Sequence, residues 1–253
     1  MTDIVLRHGK TESLKRFHPW VFSGAIYKIV LHGDEELHEG DVVRVVESIP
    51  SDNGSLERFM AWGHYQVGSI AVRVLSFEDR PIDRDFWKGR LAEAWQARKR
   101  LNVVRSDNTM FRMVHGEGDR LPGLIVDVYG DTAVMQAHSV GMHHARNIIA
   151  EVIGEATEGR VRNVFYKSET TLPYKAQLGA KDGFILGASN VNVAKENGLK
   201  FHIDWLEGQK TGFFVDQRDN RALIEQYAKD KNVLNMFCYT GGFSVYAMRG
   251  GAK

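Results

Sequence analysis

The chain has 253 residues, 43% hydrophobic and 26% charged, which is ordinary for a globular protein with one large domain or two to three small ones. The formal net charge of +1 excludes a global excess of positive charge, so any nucleic-acid contact must come from local patches. The only cysteine, Cys238, excludes an internal disulfide framework and a zinc cluster built on cysteines.

The first residues and the apolar runs indicate where the protein works. Met1 to Val5 lack the basic and then apolar layout of a secretion signal. No apolar run in the sequence approaches the roughly 20 residues that cross a bilayer. We therefore expect a cytoplasmic protein without a membrane partner.

Residues 1–76 are predicted to form a small all-β domain. Short β-rich runs alternate with turn-forming residues, and this spacing is typical of a compact barrel or sandwich. The runs are Val42 to Val46, Phe59 to Trp62 and Ile70 to Leu75, and the turn signals are Gly33-Asp34, Asp52-Asn53-Gly54 and Gly63.

Residues 77–106 are predicted to form a basic helical linker. Trp87, Leu91, Ala94 and Trp95 recur at helical spacing and make one apolar face. The helix could contact RNA phosphates or present a solvated face, and the residues alone favour neither interpretation. From Asp79 to Arg105, eight basic residues stand against four acidic ones, namely Arg80, Arg84, Lys88, Arg90, Arg98, Lys99, Arg100 and Arg105 against Asp79, Asp83, Asp85 and Glu93.

Residues 107–188 are predicted to be an α+β domain, because strand-like and helix-like runs alternate. Gly130-Asp131 is a plausible hairpin corner between two of the strands. The expected strands are 111–115, 124–129, 133–138 and 164–167, and the expected helix buries Ile148, Ile149, Val152 and Ile153.

The pair His143-His144 lies in this domain and raises the question of a metal site. Adjacent residues on a helix point about 100° apart, and no acidic or thiol partner has ligand spacing. We interpret both as surface histidines and predict no metal site.

Residues 189–253 open with a β-hairpin and continue with two helices. Asn197-Gly198 supplies the positive φ angles of a tight turn between the hairpin strands. Asp216 is expected to cap a helix that starts near Gln217. The hairpin pairs Val191 and Val193 with Leu199, Phe201 and Ile203. The helix buries Leu223, Ile224, Tyr227 and Ala228.

A short apolar run then leads through glycines into the second helix. Val233 to Phe237 is apolar enough for a central strand of a parallel sheet, and Phe243 to Met248 is the helix. Such a joint aims free backbone N–H groups at an anionic ligand. Gly241-Gly242 does not match the dinucleotide G-x-G-x-x-G spacing, so a joint without a ligand is the alternative.

The segment before this joint strengthens the ligand hypothesis. Thr211-Gly212-Phe213-Phe214 and Asp216-Gln217-Arg218 place aromatic, amide and guanidinium groups just upstream. Phenylalanine rings can sandwich a purine, while glutamine and arginine can bond a carboxylate or a ribose.

These motifs resemble a known family, the PUA-containing, S-adenosylmethionine-dependent 23S rRNA cytosine-C5 methyltransferases. The resemblance covers essentially the whole chain in the family's order. The matching motifs are His18 to Gly24, Val114 to Glu117, Leu121 to Asp127, Lys210 to Phe214, Asp216 to Arg218, Asn220-Arg221, Asn235 to Phe237, Tyr239 to Gly241 and Phe243-Ser244.

The resemblance implies a multidomain α/β and α+β chain. An N-terminal PUA-like RNA-binding β-barrel and an α+β middle domain would precede residues 189–253, the first βα unit of an incomplete Rossmann-like methyltransferase domain. S-adenosyl-L-methionine would be the cofactor and rRNA the partner, with the turn at Tyr239 taking the methionine end of the cofactor. The implied cofactor residues are Phe213, Phe214, Gln217, Arg218, Arg221, Phe237, Tyr239, Thr240, Gly241 and Phe243. The RNA-binding candidates are Lys15, Arg16, His18, Arg98, Lys99 and Arg100.

The sequence also departs from the family pattern. Family members carry an acidic residue for the cofactor ribose, an Asp-Pro-Pro loop and a cysteine that attacks the base, and we find none of these here. Methylation of a pyrimidine at carbon five requires a nucleophile to add at carbon six first. Cys238 lies inside the cofactor motif, and we interpret it as a packing residue. We therefore expect this chain to lack the catalytic half of the enzyme and to be inactive.

Three expectations remain open at this stage. Residues 230–253 should be docked on the middle domain, paired through a strand edge or as a homodimer with another copy, or poorly ordered. A PUA-type RNA-binding module without catalysis is an alternative function. An rRNA guanine methyltransferase is another, because related PUA enzymes share the Thr-Gly-Phe-Phe-type segment.

Overall fold

The computed structural model describes residues 1–33, 36–51, 54–173, 176 and 178–253. Three apolar clusters organise the chain, one within the N-terminal sheet and one on each face of a central sheet. No helix in the described ranges has the length and apolar character needed to cross a membrane.

The N-terminal region is a six-stranded sheet with one short helix, α1 (Glu12–Lys15). Its buried core includes Ile4, Val43, Val45, Ala61 and Val72. The strands are β1 (Thr2–Leu6), β2 (Trp20–Phe22), β3 (Ile26–Leu31), β4 (Val42–Ser51), β5 (Gly54–Tyr65) and β6 (Ile70–Ser76), in the order β2-β6-β5-β4-β1-β3.

The connection between β2 and β3 explains why this sheet closes on itself. The two strands are the opposite edges of the sheet, yet only the 3₁₀ turn Ser23–Ala25 joins them. That connection reaches at most about 14 Å, whereas a flat sheet of six strands is about 24 Å wide. The sheet must curl until its edges approach, which agrees with the predicted barrel.

The sequence prediction for this region was incomplete at its start and at one glycine. Strands β1, β2 and β3 were not predicted, although Ile4 and Val5 pair with Ile29 and Lys28 along a regular ladder. Gly63 was wrongly predicted to be a turn and lies within β5 at a register shift. A side chain there would meet the backbone oxygen of Arg73. Asp34, Asp52 and Asn53 of the other turn signals lie outside the described residues.

The middle region is a five-stranded sheet with helices on one face. Asp83 accepts a hydrogen bond from the Phe86 amide and so caps the first helix. The elements are α2 (Arg84–Arg100), β7 (Met110–His115), β8 (Leu124–Tyr129), β9 (Thr132–Ala137), α3 (Val140–His144), α4 (Arg146–Ala156), β10 (Asn163–Tyr166) and β11 (Gly183–Leu186), with the sheet order β11-β10-β9-β8-β7.

Helix α2 belongs to this middle region. Its apolar residues Phe86, Trp87, Leu91 and Trp95 are buried in the same cluster as α4 and one face of the sheet. The helix predicted at 77–106 is therefore a packed layer of the middle region and not a separate linker. Strand β11 was not predicted, while the hairpin at Gly130 and the buried face of α4 agree with expectation.

The C-terminal region covers the opposite face of the central sheet. Met110, Tyr129, Val134 and Phe165 alternate along their strands with residues of the first cluster and form the floor of the second cluster. Because both faces of the sheet are covered, every residue of β9 is buried. The covering elements are β12 (Val193–Glu196), β13 (Leu199–His202), α5 (Arg218–Tyr227) and α6 (Gly242–Arg249).

Residues 233–237 do not form the predicted strand. They have no regular structure, and the side chains of Leu234 and Phe237 are 84% and 97% exposed. These residues therefore offer no strand edge with which a second copy of the chain could pair. By contrast, α6 forms where expected, and Tyr246 docks it onto the cluster above the middle sheet.

Helix α5 also differs from expectation. Asp216 lies in the 3₁₀ turn Val215–Gln217 and does not cap the helix, whose first residue is Arg218. Of the predicted buried stripe only Ala228 is buried, while Leu223, Ile224 and Tyr227 are exposed. An amphipathic sequence makes an apolar face, but burial requires a partner surface, and the described residues provide none on this side of α5.

Candidate cofactor site and RNA-facing residues

The loop before α6 has an unusual backbone. Phe237, Tyr239 and Gly241 have φ angles of +57°, +48° and +72°, so every second residue is left-handed. This conformation is common for glycine but uncommon and costly for aromatic residues. The backbone at Gly241 leaves open space around its Cα, and α6 starts at the next residue.

The amides of this loop are only partly used by the protein. The Gly241 amide donates to the Cys238 carbonyl over 2.7 Å. In the part of the chain that the structure describes, the first-turn amides of Gly242, Phe243 and Ser244 meet no protein acceptor. These amides and the positive end of the helix dipole can bind a carboxylate.

Tyr239 connects the loop to the upstream motif. Its hydroxyl accepts from the Gln209 amide over 3.0 Å and donates to the Gly212 carbonyl over 3.4 Å. Its ring meets Phe214 edge to face with 5.3 Å between centroids. The structure thus brings Phe214 and Tyr239 together, as the cofactor hypothesis requires.

Two other cofactor candidates lie in the protein interior. Arg221 is buried, its guanidinium forms two 2.7 Å hydrogen bonds with Glu196, and it donates to the Phe214 carbonyl over 3.0 Å. The guanidinium also lies 4.7 Å from the centroid of the buried Phe213 ring and 5.9 Å from that of Phe243. Phe213 and Arg221 therefore stabilise the motif from the protein interior.

Gln217 and Arg218 lie at the start of α5 and no described contact joins them to Tyr239. Gln217 accepts from Asn220 over 2.9 Å, and Arg218 pairs with Asp219 over 3.0 Å. Arg218 lines a cleft of about 190 Å³ between α5 and the middle sheet. Its other lining residues are Arg98, Leu101, Val103, Phe111, Arg112, Val215, Asp216 and Asp219.

The N-terminal RNA candidates lie at one edge of the first sheet. His18 contacts Trp20 and Phe22 with ring centroids 5.6 and 6.1 Å apart, and Phe22 is about half exposed. Arg16 is exposed, and Lys15 pairs with Glu12 over 2.7 Å on the surface. Aromatic rings next to cationic side chains are the elements of a single-stranded RNA platform.

The basic residues of α2 are largely neutralised by the middle region. Arg98 makes a bidentate ion pair with Asp119 and donates to the Arg112 carbonyl, and Lys99 pairs with Glu158 over 2.9 Å. Arg84 similarly joins Glu151 and Glu155, which raises its pKa. Of the three α2 candidates, Arg100 alone has no ion pair among the described contacts, and it is exposed.

The structure contradicts two sequence-based interpretations of side-chain burial. His143 is buried and its Nδ1 lies 2.7 Å from the Tyr166 hydroxyl, so it is not a surface histidine, although His144 is. Burial lowers the pKa of His143 to about 4. Cys238 is exposed and is not a packing residue. The described residues contain no group of three or more side chains that could hold a metal ion.

A buried polar network was missed by sequence reasoning. Asp127, Tyr129 and Thr211 are fully or almost fully buried, and the Thr211 hydroxyl is hydrogen bonded both to Asp127, 84 residues away in sequence, and to Tyr129. A polar residue within an apolar strand, such as Asp127 in the run Leu-Ile-Val-Asp-Val-Tyr, is the only local signal of such a network.

Two parts of the chain match family models, one for a PUA-like domain and one for an S-adenosylmethionine-dependent methyltransferase. Residues 4–77 match the family described as a PUA-like domain, and residues 187–253 match the one described as an S-adenosylmethionine-dependent methyltransferase. These matches confirm the two predicted domain types and the predicted cofactor at the level of the matched family.

The relatives are more particular. The chain is 37% identical over 257 residues to the ribosomal RNA large subunit methyltransferase I of Tolumonas auensis, and 38% identical over 259 residues to that of Pseudoalteromonas translucida. These alignments cover 100% of this chain and 61% and 62% of the relatives. The chain therefore spans about three fifths of the length of the curated relatives it matches.

Solved structures support the fold. A SAM-dependent methyltransferase structure from Streptococcus mutans superposes with a TM-score of 0.76, and a methyltransferase structure complexed with SAH superposes with a TM-score of 0.77. Each is 20% identical, and each alignment covers 100% of this chain and 61% of the other.

Proposed function

We propose that this chain binds S-adenosyl-L-methionine at the loop of residues 237–243 and belongs to an enzyme that forms 5-methylcytidine in large-subunit rRNA. The observation that carries the proposal is the row of open amides at the start of α6, next to Tyr239 and Phe214. The names of the relatives support rRNA as the substrate, and the motif resemblance supports cytosine. The work would take place in the cytoplasm, where rRNA is modified.

The cofactor candidates fall into three groups. The amides beyond Gly241 would receive the methionine carboxylate, and Phe214, Phe237, Tyr239, Thr240 and Phe243 would contact the rest of the cofactor. Phe213 and Arg221 would hold this surface in place without touching the ligand. Gln217 and Arg218 would contact the cofactor only if the start of α5 closes towards the loop.

The group that adds to carbon six of the base is not assigned within this chain. Cys238 is the single thiol, and it lies in the loop that the cofactor would occupy. A nucleophile in the same place as the cofactor's methionine end could not reach the far side of a bound base. We therefore propose that this chain binds cofactor and RNA and does not by itself transfer a methyl group.

RNA recognition is proposed for the edge of the N-terminal sheet. His18 would contribute to a stacking surface with Trp20 and Phe22, and Lys15 and Arg16 would contact phosphates. Arg100 could extend this contact, whereas Arg98 and Lys99 are already neutralised by Asp119 and Glu158. Such binding should weaken as salt rises, because phosphate contacts release counterions.

A pair of crossed variants tests both halves of the proposal. Isothermal titration should show S-adenosylhomocysteine binding to the 253-residue chain, weakened by Phe214→Ala and unchanged by Lys15→Ala with Arg16→Ala. Binding of a single-stranded rRNA fragment should show the reverse pattern, and the double substitution should reduce the salt slope by about 1.4, or about 0.7 for each phosphate contact.

The outcomes separate the candidate functions. RNA binding without any S-adenosylhomocysteine binding would leave an RNA-binding module without catalysis. Loss of both affinities in both variants would contradict two separate surfaces. Transfer of a labelled methyl group to rRNA by this chain alone would contradict the proposed absence of the attacking group.

A further inference from the structure

A buried polar network joins the middle sheet to the segment that leads into the cofactor motif. Asp127 of β8 is fully buried and accepts two hydrogen bonds from the Arg112 guanidinium, over 2.8 and 2.9 Å. The Thr211 hydroxyl donates to the same carboxylate over 2.6 Å, and the Tyr129 hydroxyl lies 3.0 Å from Thr211. A carboxylate, a guanidinium and two hydroxyls thus meet at one point.

The direction of each proton in this network can be assigned. Because Thr211 donates its hydroxyl proton to Asp127, Tyr129 must be the donor in its contact with Thr211 or with the Phe213 carbonyl, 3.3 Å away. Burial, together with the negative charge of Asp127, raises the pKa of Tyr129 well above its ordinary value. Tyr129 therefore stays protonated near neutral pH and acts as a donor.

The segment fixed by Thr211 contacts the cofactor loop through Tyr239. Gly212 has a φ of +107°, and a side chain there would meet the Asp204 carbonyl, so the backbone turns tightly at this point. The Gly212 carbonyl accepts a hydrogen bond from the Tyr239 hydroxyl, and Phe214 packs edge to face on the Tyr239 ring. The hydrogen bonds and the ring contact of the Tyr239 side chain with the described residues all lie within residues 209–214.

We propose that Asp127, acting through Thr211, is a positioning residue of the middle domain that sets the place of Tyr239 and its loop for cofactor binding. Among the described residues, the Asp127 side chain is hydrogen bonded to Arg112 and Thr211 and not to the loop. The middle domain would thereby take part in cofactor binding and not only in RNA handling. This inference rests on the proposed function, since it concerns the same loop.

Two substitutions at Thr211 separate this role from ordinary core packing. Thr211→Val keeps the shape and removes the hydroxyl, while Thr211→Ser keeps the hydroxyl and removes a methyl group. In Thr211→Val the carboxylate of Asp127 retains both Arg112 bonds and Tyr129 retains the Phe213 carbonyl. The fold should therefore be retained, while the hydrogen bonds of the Thr211 hydroxyl to Asp127 and Tyr129 are lost.

The experiment measures amide exchange and cofactor affinity on the same three proteins. In Thr211→Val, amides of residues 209–214 and 237–243 should exchange faster, and the Kd for S-adenosylhomocysteine should rise about tenfold, as expected for one lost hydrogen bond to a charged acceptor. Thr211→Ser should match the wild type in both measurements. Exchange in β9 and the Kd for RNA should stay unchanged in both variants.

Any other result overturns either the positioning role or the proposed function. Unchanged exchange at 237–243 in Thr211→Val would overturn the positioning role, as would a Thr211→Ser variant that behaves like Thr211→Val. Faster exchange in β9 as well would mean that the network serves the core in general, which also overturns it. If the wild type binds no S-adenosylhomocysteine, the proposed function fails. Amide exchange at 237–243 still tests whether Thr211 positions the loop.

Discussion

Arg221 and Glu196 meet where α5 lies against the hairpin of β12 and β13. Both side chains are almost completely buried, and two hydrogen bonds of 2.7 Å join them. The sequence singled out Arg221 as a ligand of the cofactor, because a motif residue with a guanidinium suggests anion binding. Its actual partner could not be predicted, because Glu196 lies 25 residues away and a lone charged residue in a strand normally faces solvent.

We expect Glu196→Gln to lower the free energy of unfolding by about 3 kcal/mol, because it leaves the Arg221 charge buried without a counter-charge. The matched control is Glu225→Gln, which removes a similar bidentate partner from Arg249 near the surface. That change should cost less than about 1 kcal/mol. Urea unfolding followed by tryptophan fluorescence measures both, and equal losses would contradict the assignment of Arg221 as a buried support.

At the scale of single elements, sequence patterns were reliable where both the local signal and the partner surface exist. The β8–β9 hairpin, the buried face of α4, the Asn197-Gly198 turn and helix α6 all form as predicted. Short strands β1 to β3 and β11 were missed because each has few residues, and pairing with distant strands stabilises them. The run 233–237 failed for the opposite reason, since it has the apolar composition of a strand without a neighbour to pair with among the described residues.

The hairpin turn provides the test at this scale. Asn197 and Gly198 have φ angles of +48° and +83°, so Gly198→Ala should cost about 1 kcal/mol because alanine is strained in the left-handed region. Gly183→Ala is the control, since Gly183 lies in β11 with an ordinary φ angle and open space around it. Thermal unfolding should show a lower Tm for the first variant and an unchanged or slightly higher Tm for the second. A loss of equal size at Gly183 would contradict the turn argument.

On the scale of the whole molecule, two histidine rings join the N-terminal and middle regions, and each ring packs against a glycine of the other region. The His64 ring of β5 lies against Gly141 of α3, where an added Cβ would come within 2.1 Å of the ring. In return, the His144 ring lies against Gly40, where an added Cβ would come within 2.5 Å of the ring. His64 also stacks on Trp87 of α2, and Trp20 donates to Glu117 over 3.0 Å. No single segment of sequence contains this joint, so the sequence could not indicate it.

The joint should make stability depend on pH. Burial lowers the pKa of His64 to about 3, with His144 and Arg73 as the nearby charges that add to the effect. The unfolded chain binds a proton at His64 near pH 6.5 and the folded chain does not. Above pH 6.5 the neutral His64 therefore costs the folded state nothing. As the pH falls below 6.5, the free energy of unfolding decreases by up to about 1.4 kcal/mol per pH unit. His143 adds a similar loss down to about pH 4.

Urea unfolding at pH 7.5 and pH 5 measures this dependence. His64→Leu should reduce the loss between the two pH values by about one proton's contribution, because leucine cannot titrate and the His64 Nδ1 has no hydrogen-bond partner among the described residues. Gly141→Ala should weaken the joint at every pH without changing the slope near pH 7. An identical pH dependence in the wild type and His64→Leu would contradict a buried neutral histidine at the joint.

The bare apolar stretch around Leu234 and Phe237 has a practical consequence for anyone who handles this protein. Dyes such as ANS report misfolding because they fluoresce on accessible hydrocarbon surface, which compact native proteins usually lack. Here that surface is present while both faces of the central sheet remain tightly covered. A dye screen would therefore score a correctly folded sample as partly molten, and near-ultraviolet circular dichroism is the appropriate quality check.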